Sequence, residues 1–144
     1  YSEAQNIVVC GMGGSAIGGD LSKALLKNSL KLPLTINRNY ELPNWVNSSS
    51  IVICSSYSGN TEESLNAYHN AIAKGAKVIG ITTGGELSSL LSKNNNDKVE
   101  IPSGLQPRAA VAYSFIPLLY LLNLDFGEAV QLMSRIRPFW RPWR

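Results

Sequence analysis

Ile51-Val52-Ile53-Cys54-Ser55-Ser56-Tyr57-Ser58-Gly59-Asn60-Thr61-Glu62-Glu63-Ser64 passes from an unbroken apolar run, through a turn of small hydroxyl residues, into a helical pattern. A second stretch repeats the logic: Ile7-Val8-Val9 leads into Cys10-Gly11-Met12-Gly13-Gly14-Ser15-Ala16-Ile17-Gly18-Gly19-Asp20. Each apolar run reads as a strand, and each turn leads into a helical pattern. A glycine-rich turn and a hydroxyl-rich turn, each between strand and helix, present backbone N–H groups, small hydroxyls and a helix N-terminus to an anion. The second turn holds no lysine or arginine, so it would bind a phosphate with neutral dipoles alone.

The rest of the chain continues the alternation. Residues 6–10 read as a first strand and 15–27 as a helix. Leu34 to Asn37 reads as a second strand, 50–54 as a third and 61–74 as a helix that Gly75 stops. Val78 to Thr82 reads as a fourth strand, 86–93 as a short helix and Lys98 to Ile101 as a fifth strand. Helices are expected at 109–122 and 127–136. Strands alternating with helices predict an α/β fold: a three-layer αβα sandwich around a five-stranded parallel sheet in the flavodoxin-like order 2-1-3-4-5. Ligands of such sheets bind at the carboxyl ends of the strands, where both turns fall.

At 144 residues the chain suits one domain, expected at 1–134, with an Arg/Trp/Pro-rich tail at 135–144. The formal charge of +3 is concentrated in that tail, which holds Arg135, Arg137, Arg141 and Arg144 and no acid. Without it the charges nearly cancel, so no nucleic-acid partner is expected. The longest apolar stretch, Val111 to Leu122, is too short to span a bilayer. No membrane partner is expected, and a cytoplasmic location is the default. Cys10 and Cys54 close neighbouring strands in the expected order and read as buried, reduced thiols.

Within the hydroxyl-rich turn, Ser56, Ser58 and Thr61 can converge on one oxyanion if Gly59 turns the chain tightly. Asn60 reads as the N-cap of the following helix, with Glu63 completing a capping box. Gly11 to Ala16 nominally satisfies the dinucleotide pattern G-x-G-x-x-A, but the second strand ends in Asn37-Arg38, not in the acid that holds a ribose. No Lys-Ser or Lys-Thr follows the glycines, which excludes a P-loop. No cofactor and no metal-ligand set is assigned. Glu62 and Glu63 read as first-turn capping residues and His69 as a surface or packing residue.

Four segments together, GMGGSAIGGD at 11–20, RNYELPNWV at 38–46, SSYSGNTEESL at 55–65 and SGLQPRAA at 103–110, resemble the N-terminal half of the archaeal bifunctional phosphoglucose/phosphomannose isomerases, members of the sugar isomerase (SIS) domain superfamily. The resemblance implies binding of a hexose 6-phosphate. It also implies that Ser56, Ser58 and Thr61 hold the phosphate, that Gly14 and Ser15 contact the sugar, and that Arg108 steadies an enediolate. The family's glutamate base, histidine and lysine belong to a second half or a partner subunit, and none maps onto this chain. A second SIS domain or a homodimer partner is therefore implied. Two further readings stand beside it: a non-catalytic phosphosugar-binding sensor or regulatory module, and an NADP-binding oxidoreductase domain built on Gly11 to Ala16.

Overall fold

The computed structural model describes residues 3–106 and 109–122. Its elements run β1 (Asn6–Cys10), α1 (Gly13–Leu25), β2 (Leu34–Asn37), β3 (Ser50–Ser55), α2 (Glu62–Ala73), β4 (Lys77–Thr82), α3 (Gly85–Lys93), β5 (Asp97–Glu100) and α4 (Val111–Leu121). The five strands form one sheet in the order β2-β1-β3-β4-β5, and every pair is parallel. This is the expected order, and the elements fall within a few residues of their expected bounds. The helix expected at 127–136, the tail at 135–144 and Arg108 lie outside the described residues.

Side-chain alternation sorts the central strands onto two cores. Val8, Cys10, Val52, Cys54 and Val78 point to one face, where Ala67, Tyr68 and Ala71 of α2 and Leu87 and Leu91 of α3 cover them. Ile7, Val9, Ile51, Ile53, Ile79 and Ile81 point to the other, joined by Leu118 of α4 and by Ile101. Helix α1 completes that second layer: a Cβ on Gly19 would lie 2.9 Å from Ile36 Cδ1 and 3.3 Å from Val9 Cγ1.

Ser64, Ala67, Tyr68 and Ala71 supply the buried stripe of α2 at helical spacing. Gly75, at φ +70°, ends it as expected. The Gly75 N–H donates to Ile72 O at 3.0 Å and the Ala76 N–H to Ala71 O at 2.9 Å, the paired bonds of a Schellman cap. Helices α1 and α4 pack almost backbone to backbone. A Cβ on Gly18 would sit 2.4 Å from Ser114 Oγ and 2.9 Å from Ser114 C. The second glycine pair of the glycine-rich stretch is therefore a packing device.

Cys10 and Cys54 stand directly opposite each other in the β1–β3 register, and both are free and buried. Burial pushes the Cys10 thiol up to about 12, against a small lowering by the Asn37 side chain. Burial also raises Cys54 well above the usual thiol range, with Cys10 adding to the effect. An unfolded chain loses these protons first, near pH 8.5, so rising pH favours unfolding. Stability contributed by the neutral thiols is complete below about pH 8.5 and falls by roughly 1.4 kcal/mol per pH unit per thiol above it. Urea midpoints measured from pH 8 to 10.5 are expected to drop more steeply in the parent chain than in the Cys10→Ala/Cys54→Ala variant. Parallel slopes would contradict the assignment.

Candidate functional site

The carboxyl ends of β1, β3 and β5 open onto a cleft of about 270 Å³. One wall is the start of α1, where Met12, Gly13, Gly14 and Ser15 line it; the other is formed by Tyr57, Ser58 and Thr61. Ile101, Ala110 and Ser114 close the far side. The two turns that the sequence singled out thus face each other across one space, and no described residue lining it is cationic.

Met12, the N-cap of α1, is extended and makes no side-chain cap hydrogen bond, and no acid occupies the first turn. The positive end of that helix is therefore directed at the cleft without a competing carboxylate. Gly14 is half-buried and Ser15 buried at this wall. On the opposite wall Thr61 is the N-cap of α2. The Gly59 φ of +72° makes the tight turn that brings Ser56 and Thr61 together, and their hydroxyl oxygens are 2.8 Å apart.

The three hydroxyls of this turn are not equivalent. Ser56 is only 2% exposed, and its Oγ accepts the Gly59 N–H at 3.1 Å. It does not line the cleft. Ser58 is exposed, lines the cleft and accepts the Asn60 N–H at 3.2 Å. If Ser56 gives its one proton to Thr61 Oγ1, the Thr61 proton is left to donate into the cleft. Ser56 then works from behind, by orienting Thr61.

Asn60 departs from expectation. No side chain caps α2, so the expected capping box with Glu63 is not formed. Asn60 Oδ1 instead accepts the Glu86 N–H at 2.9 Å. Helix α3 begins at the N-cap Gly84, which has no side chain to offer its first-turn N–H groups. Asn60 satisfies one of them from across the fold, in place of capping its own helix. The same contact anchors the hydroxyl-rich turn. The Leu87 N–H donates to Gly59 O at 2.9 Å and the Ser56 N–H to Ile81 O at 3.0 Å.

The second strand's end does not serve a ribose. Asn37 is buried, and its Nδ2 donates to Asn39 O at 3.0 Å and Glu41 O at 3.1 Å, closing its own turn. Arg38 pairs with Asp20. Glu62 and Glu63 occupy the first turn of α2 as expected. They push the Tyr40 phenol above its ordinary range, Glu63 most strongly. His69 is exposed, its ring edge-on to Tyr68 with centroids 5.5 Å apart. Among the described residues, no cluster of three or more His, Cys, Asp or Glu side chains could hold a metal ion. Nor is any described helix long and apolar enough to cross a membrane.

Sequence reasoning missed Tyr57 and Ser114 as wall residues. Tyr57 stands inside the quoted turn, so its neighbours were the available signal. Ser114 interrupts the apolar run of α4, and its hydroxyl lies 3.1 Å from Gly14 O and 2.9 Å from Val111 O.

Comparison with known proteins places this geometry. A bifunctional phosphoglucose/phosphomannose isomerase of Caldicellulosiruptor bescii is 48% identical over 149 residues, covering 97% of this chain and 44% of its own. The enzyme of that name from Thermoplasma acidophilum is 41% identical over 133 residues, covering 90% of this chain and 41% of its own. The chain thus spans less than half the length of these relatives. Among solved structures, phosphoheptose isomerase from Neisseria gonorrhoeae superposes with a TM-score of 0.64 at 19% identity, over 81% of this chain and 74% of that one. Residues 1–124 match the SIS domain, and the chain belongs to that family.

Proposed function

We propose that the cleft binds a hexose 6-phosphate. In this reading the domain is the phosphate-binding half of an aldose–ketose isomerase that interconverts glucose 6-phosphate or mannose 6-phosphate with fructose 6-phosphate. The observation that carries the reading is the pairing of two neutral anion-binding elements across one cleft. The α2 N-terminus with Ser58 and Thr61 faces the α1 N-terminus with Gly14 and Ser15. Ser58 and Thr61 donate to the phosphate oxygens, with Ser56 holding Thr61, while Gly14 and Ser15 meet the sugar. Such donors are fixed before the ligand arrives, so they stabilise its charge without reorganising. Arg108 is assigned to the enediolate that forms when a proton moves between C1 and C2, where a cation would stabilise the developing charge. That transfer also needs a base. Glu62 and Glu63 sit at the head of α2 and His69 on its exposed side, and none is assigned the task; the base comes from a second SIS domain or a partner subunit.

The test is calorimetric titration of this chain with fructose 6-phosphate, with NADP as control, beside an isomerase assay. Saturable sugar-phosphate binding without turnover is expected. Binding of NADP alone would overturn the reading.

A face for the second SIS domain is also assigned. Ile17, Leu21 and Leu25 of α1 are 47%, 44% and 58% exposed, and Ile116 and Tyr120 of the adjacent α4 are 55% and 76% exposed. The outer face of a sandwich helix is normally polar, and an apolar patch of this kind marks an interface. In the isolated chain a second copy is expected to take the partner domain's place. Sedimentation velocity should show dimers that the Leu21→Glu/Ile116→Glu variant loses. A parent chain that stays monomeric at high micromolar concentration would exclude this face.

A further inference from the structure

The Tyr57 side chain ties one wall of the cleft to the segment that follows Ile101, a residue of its far side. Its hydroxyl donates to Pro102 O at 3.1 Å and accepts the Leu105 N–H at 2.9 Å. Both partners lie in the segment after β5, where the described residues before α4 form no helix or strand. The Tyr57 backbone is anchored just as firmly on the other side. Its carbonyl accepts the Thr83 N–H at 3.1 Å and the Thr83 hydroxyl at 2.7 Å. A rigid ring therefore spans from the end of β4 to the loop after β5, in a residue that lines the cleft. Phenylalanine would fill the same volume, but only a phenol can both donate and accept at that point.

We propose that Tyr57 is a positioning residue for sugar-phosphate recognition: its hydroxyl locks the segment after β5 against the phosphate turn and so fixes the far side of the cleft at Ile101, which bounds the space left for the sugar opposite Gly14 and Ser15. The proposal rests on the hexose 6-phosphate reading of the cleft. The phosphate is bound by Ser58, Thr61 and the α2 N-terminus, whose own anchors, Glu86 on Asn60 and Leu87 on Gly59, do not involve the phenol. Losing the hydroxyl therefore separates sugar recognition from phosphate recognition.

The test compares the parent chain with Tyr57→Phe by titration with fructose 6-phosphate and with inorganic phosphate, and by amide hydrogen exchange. The Leu105 N–H and Pro102 carbonyl can be hydrated in place, so the unfolding midpoint is expected to change little. The Kd for fructose 6-phosphate should rise about five- to tenfold, while that for inorganic phosphate stays within about twofold. Exchange at the Leu105 amide should accelerate at least about tenfold. Equal weakening of both ligands would reveal a merely structural role, and unchanged fructose 6-phosphate affinity would overturn the proposal outright. If the parent chain itself does not bind fructose 6-phosphate, the underlying reading of the cleft fails, an outcome visible without the variant.

Discussion

Replacing Ser56 and Thr61 together by alanine is expected to raise the Kd for fructose 6-phosphate about 100-fold while leaving the fold intact. A hydrogen bond to a charged group contributes about 1.5–3 kcal/mol, which is roughly one to two orders of magnitude in affinity. Thr61 would lose such a bond directly. Ser56 is buried, and its contribution passes through Thr61, 2.8 Å away. The two losses should therefore not add: Thr61→Ala alone should account for most of the effect, and Ser56→Ala alone for a smaller part. The fold should tolerate both changes. The Gly59 N–H, which donates to Ser56 Oγ, also donates to Ser56 O at 3.2 Å, so alanine at position 56 does not leave it unpaired. Calorimetry of the two single variants and the double variant checks the scheme. Affinity undiminished in the double variant would remove the phosphate from this turn.

Gly59→Ala is expected to cost about 3 kcal/mol or more in stability and to abolish measurable sugar-phosphate binding. Two penalties combine. The φ of +72° costs an L-residue about 1–2 kcal/mol. An added Cβ would also lie 1.9 Å from Gly84 O, a backbone atom that cannot rotate away. Overpacking of this kind typically costs about 1–3 kcal/mol. Relief requires the turn to lift off the start of α3, which breaks the Leu87 to Gly59 bond and displaces Ser58 and Thr61 from the cleft. Urea unfolding and titration of the variant test both halves. Stability within about 1 kcal/mol of the parent would show that the turn yields more easily than its packing implies.

Much of this arrangement is legible along the chain. The unbroken run at 51–53 demands a strand buried on both faces, and the stripe of Ser64, Ala67, Tyr68 and Ala71 demands a helix lying on it. Gly75 stops that helix for a reason contained in the residue itself, since only a small set of residues accepts positive φ. The facing of the two turns across one cleft follows from the strand order, because β1 and β3 are adjacent and parallel. The convergence of Ser56 and Thr61 needed only a tight turn at Gly59, which the sequence also supplied.

Tertiary structure decided what those residues do. Asn60 has the chemistry and the spacing of an N-cap for α2, yet it serves α3, whose N-cap is a glycine with no side chain to accept a first-turn N–H. Ser56 shares its residue type with Ser58, but one is buried behind Thr61 and the other exposed at the cleft. Gly18 looks like part of a ligand-binding stretch and is instead the contact where α1 meets α4. Tyr57 acquires its role from Pro102 and Leu105, more than forty positions away. The sequence by itself determined the periodicity of the elements, the layer they form and the edge at which the cleft opens, since these depend on neighbours three, four or two residues apart. Which hydroxyl faces the cleft, which helix is capped and which wall is tethered depend on partners brought close only by folding, and no local spacing carries that information.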